Sequence, residues 1–248
     1  MRIRLVCPSK GRPGLVHQGM AASIPVEERY IVVPDDEVPA YEQTVSRTGI
    51  DAQVVGCPKK GIAATRNWVL DNLWSDDAFM VFMDDDIDYV LWVFGAENGF
   101  REDLTPAAVR AVIEDDARIS KFVGSNAFSF SNWMKPIYVD RGQPFKFAGK
   151  MNCCIMGIHS RQYRFDENVR MRDDFEYSVS LLFHTGIVMI DRRLMVAQKG
   201  GEMGIIDGGV MGIRTRANIE ADNRYLVRKY GKFIIKYLGS TKDSVYGV

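Results

Sequence analysis

Asp84-Asp85-Asp86-Ile87-Asp88 is the sharpest chemical signal in the sequence. Three successive carboxylates repel one another and destabilise a fold unless a cation or basic groups compensate. Mg²⁺ and Mn²⁺ suit carboxylate oxygens, and are commonly held by one or two carboxylates together with substrate phosphates. A cation there would neutralise a diphosphate leaving group as it departs, which is Lewis-acid catalysis. A lone D-x-D is common and often marks only an acidic turn. Here the run follows the wholly apolar Ala78-Phe79-Met80-Val81-Phe82-Met83. That context favours the metal reading, with Asp84 and Asp86 as ligands and Asp84 and Asp85 facing a bound phosphorylated ligand.

A second acidic group is Arg172-Asp173-Asp174-Phe175-Glu176. A hydroxyl that attacks carbon must lose its proton, and a carboxylate at a helix start can take it. Helix capping alone favours an aspartate at such a position. Two carboxylates followed by a third exceed what capping requires. Asp174 is read as the base, with Asp173 or Glu176 orienting the base or the acceptor.

Three further stretches carry weaker signals. In Gly61-Ile62-Ala63-Ala64-Thr65-Arg66-Asn67, the planar fork of Arg66 can reach a phosphate or carboxylate. Taken alone, a solvated arginine on an amphipathic helix explains it better. Ser9, Lys10 and Arg12 could contact a nucleotide or its phosphates, yet their loop has neither P-loop nor G-x-G-x-x-G spacing. Asp35 or Asp36 could accept from a base N–H such as that of uracil. Turn chemistry after Pro34 explains those acids equally well.

The elements that must position these residues alternate between strand and helix. Ile3 to Cys7, Arg29 to Val33, Ala52 to Val55 and Ala78 to Met83 read as strands. Helices are predicted over Gly14 to Ser23 and onward from Gly61, with Ala64, Trp68 and Leu73 on its apolar face. The pattern predicts an α/β fold with a mostly parallel central sheet flanked by helices. Ligands of such sheets bind beyond the carboxyl ends of the strands, where the loops at Ser9, Asp35 and Asp84 fall. Later, Thr105-Pro106 opens a helix to about Ile119. Strands follow near Phe122 to Phe130 and Cys153 to Ile158. A helix from Arg172 stops at Gly186, and a strand covers Ile187 to Ile190. A glycine-rich stretch from Gly200 to Gly212 reads as a mobile loop, and a basic helix runs from about Arg216 to Tyr230. No repeat or linker is evident, so residues 1–248 are expected to form a single domain. Residues 1–100 would be its donor-binding half and residues 101–248 its acceptor-binding half.

Bulk properties constrain the partners. The 248 residues hold 32 basic and 32 acidic side chains, so no net field draws a polyanion and any such contact needs a local patch. No apolar stretch has the length of a membrane span. Met1 to Val6 runs straight into a strand, which leaves no room for a signal peptide and predicts a cytoplasmic protein. Cys7, Cys57, Cys153 and Cys154 form no C-x-x-C pair, and read as buried thiols rather than a disulfide or zinc frame.

Read together, the order of these motifs resembles the GT-A superfamily of glycosyltransferases over roughly residues 1 to 210. The resemblance implies that Ser9, Lys10, Arg12, Asp35, Arg66 and Asn67 form a nucleotide pocket. It implies that Asp84 and Asp86 hold Mn²⁺ or Mg²⁺ on the diphosphate, and that the Asp173-Asp174 pair supplies the base. The donor would be a UDP-sugar, UDP-glucose or a UDP-N-acetylhexosamine. Many members add a late histidine ligand. This chain has none after His184, which leaves Glu202, Asp207 or water.

Within that superfamily, Pro8 to Pro13, Gly61 to Asn67, Phe82 to Asp86 and Arg172 to Glu176 resemble the phage TET-associated DNA glycosyltransferases. That implies a 5-hydroxymethylpyrimidine in phage DNA as acceptor, inside a phage-infected bacterial cell. From Gly208 onward Arg214, Arg216, Arg224, Arg228, Lys229, Lys232, Lys236 and Lys242 outnumber Glu220, Asp222 and Asp243. Such a basic tail suits phosphate contacts, and Tyr225, Tyr230, Phe233 and Tyr237 could stack on bases. A solvated helix face explains the same residues equally well. Two other classes stay open at this level: a sugar nucleotidyltransferase, against which the glycine-poor first loop counts, and a non-catalytic nucleotide- or nucleic-acid-binding module.

Overall fold

The first apolar run forms strand β1 (Ile3–Pro8), with Ile3, Leu5, Val6 and Cys7 all buried because helices cover both of its faces. A computed structural model describes residues 1–95, 100–131, 143–199, 215–231, 234–236 and 245–247. Beside β1 lie β2 (Glu28–Pro34), β3 (Gln53–Cys57) and β4 (Phe79–Met83), parallel and in the order β3-β2-β1-β4. Their connections hold α1 (Met20–Ser23), a 3-10 turn at Asp35–Glu37, α2 (Val38–Thr48) and α3 (Ile62–Asn72).

Two of these connections differ from expectation. Residues 13–18 are turns, and only Met20–Ser23 is helical. Gly19 sits so close to the acidic loop that an added Cβ would lie 2.9 Å from the Asp85 carbonyl oxygen and 3.0 Å from that of Ile87. Contact with that loop shapes the segment. Helix α2 was not foreseen, although a proline in its first turn and the left-handed Gly49 (φ 69°) mark its two ends. Its apolar stripe of Val38, Tyr41 and Val45 is too sparse to stand out.

Downstream come β5 (Ile87–Gly95), β6 (Phe100–Asp103), α4 (Pro106–Phe122), β7 (Ala127–Ser131), β8 (Phe145–Lys146) and β9 (Ile155–Ile158). They are followed by α5 (Asp173–Thr185), β10 (Met189–Gln198), α6 (Arg216–Tyr230), β11 (Ile234–Lys236) and β12 (Val245–Gly247). Thr105 caps α4 by accepting the Ala108 amide, and Gly186 ends α5 in the left-handed conformation, both as predicted. The sheet continues as β4-β9-β7-β10-β5-β6, with β8 also on β10. β3, β2, β1, β4, β7, β10 and β6 point one way, while β9, β5 and β8 run against them. The sheet is therefore mixed but mostly parallel, and strands from both halves of the sequence share it. β11 and β12 pair separately.

Each face of the sheet has its own core. Ile3, Leu5, Val81, Phe128 and Met189 pack with Val109, Ile113 and Ala117 of α4 on one side. Val6, Met80 and Phe82 pack with Val69 and Leu70 of α3 and Tyr177 and Leu181 of α5 on the other. Helix α6 joins α5 through Phe175, Val179, Leu226 and Tyr230. Among the described residues no helix is long and apolar enough to cross a membrane.

Candidate active site

Because β1 to β4 run together, their carboxyl ends share one rim, and β9 running against them returns Asn152–Cys154 to the same place. The strand order reverses beside β1, the position where open α/β sheets bind ligands. The acidic run leaves β4 at this rim. Its backbone is pinned at both ends, with the Asp84 amide donating to the Cys154 carbonyl (2.8 Å) and the Lys199 amide to the Asp86 carbonyl (2.7 Å).

The three carboxylates have separate surroundings. Asp85 is only 1% exposed; it accepts a hydrogen bond from Ser9 Oγ and pairs with Arg12 at 2.8 Å. Tyr41 on α2 completes this knot, its hydroxyl 2.7 Å from Ser9 Oγ and accepting the Arg12 amide at 3.0 Å. Burial pushes Asp85 up to about 6, with Arg12 and Ser9 opposing. Asp85 and Ser9, expected at the nucleotide, thus satisfy each other inside the protein and fix the first loop to the acidic one. Tyr41 was missed because its helix was missed.

Asp84 and Asp86 are the under-compensated pair. Arg12 reaches Asp86 only at 3.4 Å and Arg66 reaches Asp84 only at 3.6 Å, since each arginine has a closer carboxylate. Gln198 donates to Asp86 at 3.0 Å. Burial, opposed by Arg66 and reinforced by Asp86 and Asp85, pushes Asp84 up to about 7. A divalent cation fits this excess of negative charge. Among the described residues no group of three or more His, Cys, Asp or Glu side chains surrounds an ion position. Two carboxylates with donor phosphates and water would make up such a shell. Glu202 and Asp207, the other candidate ligands, lie outside the described residues.

Arg66 joins the two acidic motifs. Only 3% exposed on α3, it forms an ion pair with Asp173, donates to the Cys153 carbonyl at 3.2 Å, and lies over the rings of Phe82 and Phe165. Burial works against its charge, but Asp173, Cys153, Asp84 and Asp174 outweigh that and raise its pKa. The solvated arginine favoured by its sequence context is thus a buried connector.

Asp173 and Asp174 differ sharply. Asp173 is consumed by Arg66, whereas the Asp174 carboxylate is 23% exposed and pairs with Lys150 at 2.7 Å. Lys150 is raised by Asp174 first, burial opposing. No sequence motif marked Lys150, because it lies in the irregular stretch between β8 and β9.

Two expected site residues have structural roles instead. Asn67 accepts the Phe165 amide (3.0 Å) and donates to the Phe165 carbonyl and to Glu167 (2.9 Å each), so its amide is spent on chain 165–167. Glu176 is 1% exposed and accepts from Lys229 (2.7 Å), Tyr230 (2.6 Å) and the Asp166 amide (3.2 Å), leaving nothing for an acceptor. Lys10 and Asp35 stay exposed on the rim, where a ligand could meet them.

The basic helix also changes meaning. Lys229 is turned inward onto Asp166 and Glu176, Tyr225 donates to Asp166 (2.6 Å), and Arg216 and Arg224 share Glu220. The structures at Arg214, Lys232, Phe233, Tyr237 and Lys242 and the glycine-rich stretch lie outside the described residues, and the Lys236 side chain is likewise not described.

Residues 4–204 match the family of TET-associated glycosyltransferases. The chain belongs to that family. This TET-associated glycosyltransferase is accordingly an enzyme of glycosyl transfer, which sets aside the nucleotidyltransferase and binding-module readings. Among solved structures, it is similar to TarS of S. aureus, with 12% identity and a TM-score of 0.47 over 77% of this chain. The matched part is 35% of the TarS chain, so this glycosyltransferase spans about a third of that protein. It is also similar to the inositol-1-phosphate CTP transferase of T. maritima, with 11% identity and a TM-score of 0.44 over 83% of this chain and 92% of that one. For the 4-diphosphocytidyl-2C-methyl-D-erythritolsynthase of Anaerococcus prevotii DSM 20548 the figures are 9%, 0.43, 91% and 96%. No curated protein matches the sequence.

Proposed function

We propose that the enzyme moves a sugar from a UDP-sugar, UDP-glucose or a UDP-N-acetylhexosamine, to the hydroxyl of a 5-hydroxymethylpyrimidine in phage DNA. The observation that carries this reading is the chain of contacts from Asp84 through buried Arg66 to the Asp173-Asp174 pair, which links a cation-suited carboxylate to a proton acceptor. Asp84 and Asp86 would hold Mn²⁺ or Mg²⁺, and the bound ion would offset charge growing on the departing diphosphate. Lys10 and Asp35 on the rim and Arg12 beside the acidic run are the protein groups nearest to hand for the nucleotide.

In the transfer itself, the acceptor oxygen forms a bond to the anomeric carbon as the bond from that carbon to the phosphate oxygen breaks. Asp174 takes the hydroxyl proton, and the electron pair leaves with UDP. Lys150 orients Asp174 until the acceptor arrives, and Asp173, fixed by Arg66, holds the helix start in place. A base within a duplex must be unstacked to reach such a carboxylate. Exposed Arg216, Arg224 and Arg228 are the described cations of α6 that face solvent for phosphate contacts.

Thermal stability with UDP, UDP-glucose, UDP-N-acetylglucosamine and GDP-mannose, each with and without Mn²⁺, tests the donor half. A ligand at ~100 times its dissociation constant adds about 2.7 kcal/mol. A Mn²⁺-dependent rise with one uridine donor is expected. Silence towards every donor would remove this reading.

A further inference from the structure

Helix α6 lies beyond the stretch that matches the family, yet it holds the chain on either side of the acidic pair, at residues 170–172 and at Glu176. The first residue of α5 is Asp173, and Arg172 before it gives the helix no side-chain cap of its own. The segment that leads into the helix is held instead from fifty residues downstream. Asp222, 3% exposed, accepts the backbone amides of Arg170 (3.1 Å), Met171 (2.6 Å) and Arg172 (3.2 Å). Three converging N–H groups on one carboxylate are charge-assisted bonds, and an anion at a helix N-terminus is favourable in its own right. A second tie lies one turn further along, where Lys229 and Tyr230 hold Glu176. The apolar seam of Phe175, Val179 and Leu226 makes the two helices one unit.

We propose that Asp222 is a positioning residue for transfer: it sets the backbone of 170–172, and thereby the placement of Asp173 and Asp174 against the donor. The inference rests on Asp174 being the base. It assigns the buried face of α6 a catalytic-support role, beside the phosphate contacts open to its exposed arginines. Among the described residues the hydrogen bonds of Asp222 go to 170–172 and not to β1, β4 or α3, which would form the donor site, so donor binding and turnover should separate.

The test compares wild type, Asp222→Asn and Asp222→Glu in the full chain. Amide hydrogen exchange is read at residues 170–176 and 62–72, UDP affinity is measured with Mn²⁺, and kcat is measured with UDP-glucose and a hydroxymethylcytosine duplex. In Asp222→Asn, exchange should quicken at 170–176 and not at 62–72. UDP affinity should hold, and kcat should fall about 10²-fold, the size of loss that a misplaced reacting group brings. Asp222→Glu, which keeps the charge one methylene further out, should fall between, and it carries the test if the asparagine variant fails to fold. Unchanged exchange, or altered exchange with full kcat, would overturn the proposal. Equal losses in kcat and UDP affinity would also overturn it, as the mark of a general structural role. If wild type transfers no sugar from UDP-glucose or from UDP-N-acetylglucosamine, the functional reading fails, while the exchange data still decide whether Asp222 holds the loop.

Discussion

Asp173 and Asp174 are adjacent in sequence, yet one is bonded to a buried arginine and the other meets a lysine at the surface. The two substitutions should therefore fail in different ways. Asp174→Asn should lower kcat by about 10²- to 10⁴-fold, the usual contribution of a general base, with donor affinity and melting temperature unchanged. Asp173→Asn leaves the buried Arg66 with only the longer contact to Asp84 at 3.6 Å as an ion pair, and should lose about 3–5 kcal/mol in urea unfolding. Equal stability of the two variants would contradict this division. A third carboxylate, Asp116 on α4, is fully buried beside Asp191 and pushed up to about 9 by burial and by Asp191, with Arg193 opposing. Its folded value exceeds the ordinary 3.8, so the folded state binds the extra proton between about pH 4 and 9. The stability that this proton brings is complete at the acid end and is lost as pH rises through the window. Asp116→Asn cannot ionise, so its melting temperature should fall less than that of wild type between pH 6 and 9; parallel curves would refute the assignment. The sequence made Asp84, Asp86 and Asp174 stand out because like charges crowd together only for a reason. It singles out Asp174 as the base, but it does not foresee that Arg66 takes Asp173, nor the parts of Asp222 and Lys150, because these partners are remote in sequence.

At the scale of elements, β9 lies between β4 and β7 with Gly157 at its centre. Phe79 and Phe128 close over that glycine with ring centroids 5.9 Å apart and planes within 5°. An added Cβ would collide with both rings, lying 2.7 Å from Phe79 Cε1. Gly157→Ala should cost about 1–3 kcal/mol by overpacking, measured by urea unfolding, and a neutral result would mean the rings part freely. The first four strands and α3 to α5 were legible because apolar runs and caps such as Thr105 and Gly186 are local signals. β5 was missed, since Ile87–Gly95 starts immediately after the acidic loop and reads as its continuation. β10 extends to Gln198 rather than Ile190, because charged Asp191, Arg192 and Arg193 interrupt the apolar run; Arg193 is absorbed by Asp191 and by the rings of Trp92 and Phe145.

For the whole molecule, one rim of the sheet would be the meeting place of donor, cation and acceptor, with α6 bracing the acceptor side. Asp84→Asn and Asp86→Asn should abolish turnover while the fold remains intact, since Arg66 and Arg12 keep their closer carboxylates, Asp173 and Asp85, and are not stranded by the change; unfolding of either variant would undercut their role. The central claim is metal-assisted sugar transfer with Asp174 as the base. It is tested most directly by mass spectrometry of a 5-hydroxymethylcytosine duplex after incubation with UDP-glucose or UDP-N-acetylglucosamine and Mn²⁺, using wild type and Asp174→Asn. A gain of one sugar that chelation abolishes is expected with wild type, and no gain with Asp174→Asn although that variant still binds UDP. Equal gain with Asp174→Asn, or no gain with wild type and either donor, would contradict it.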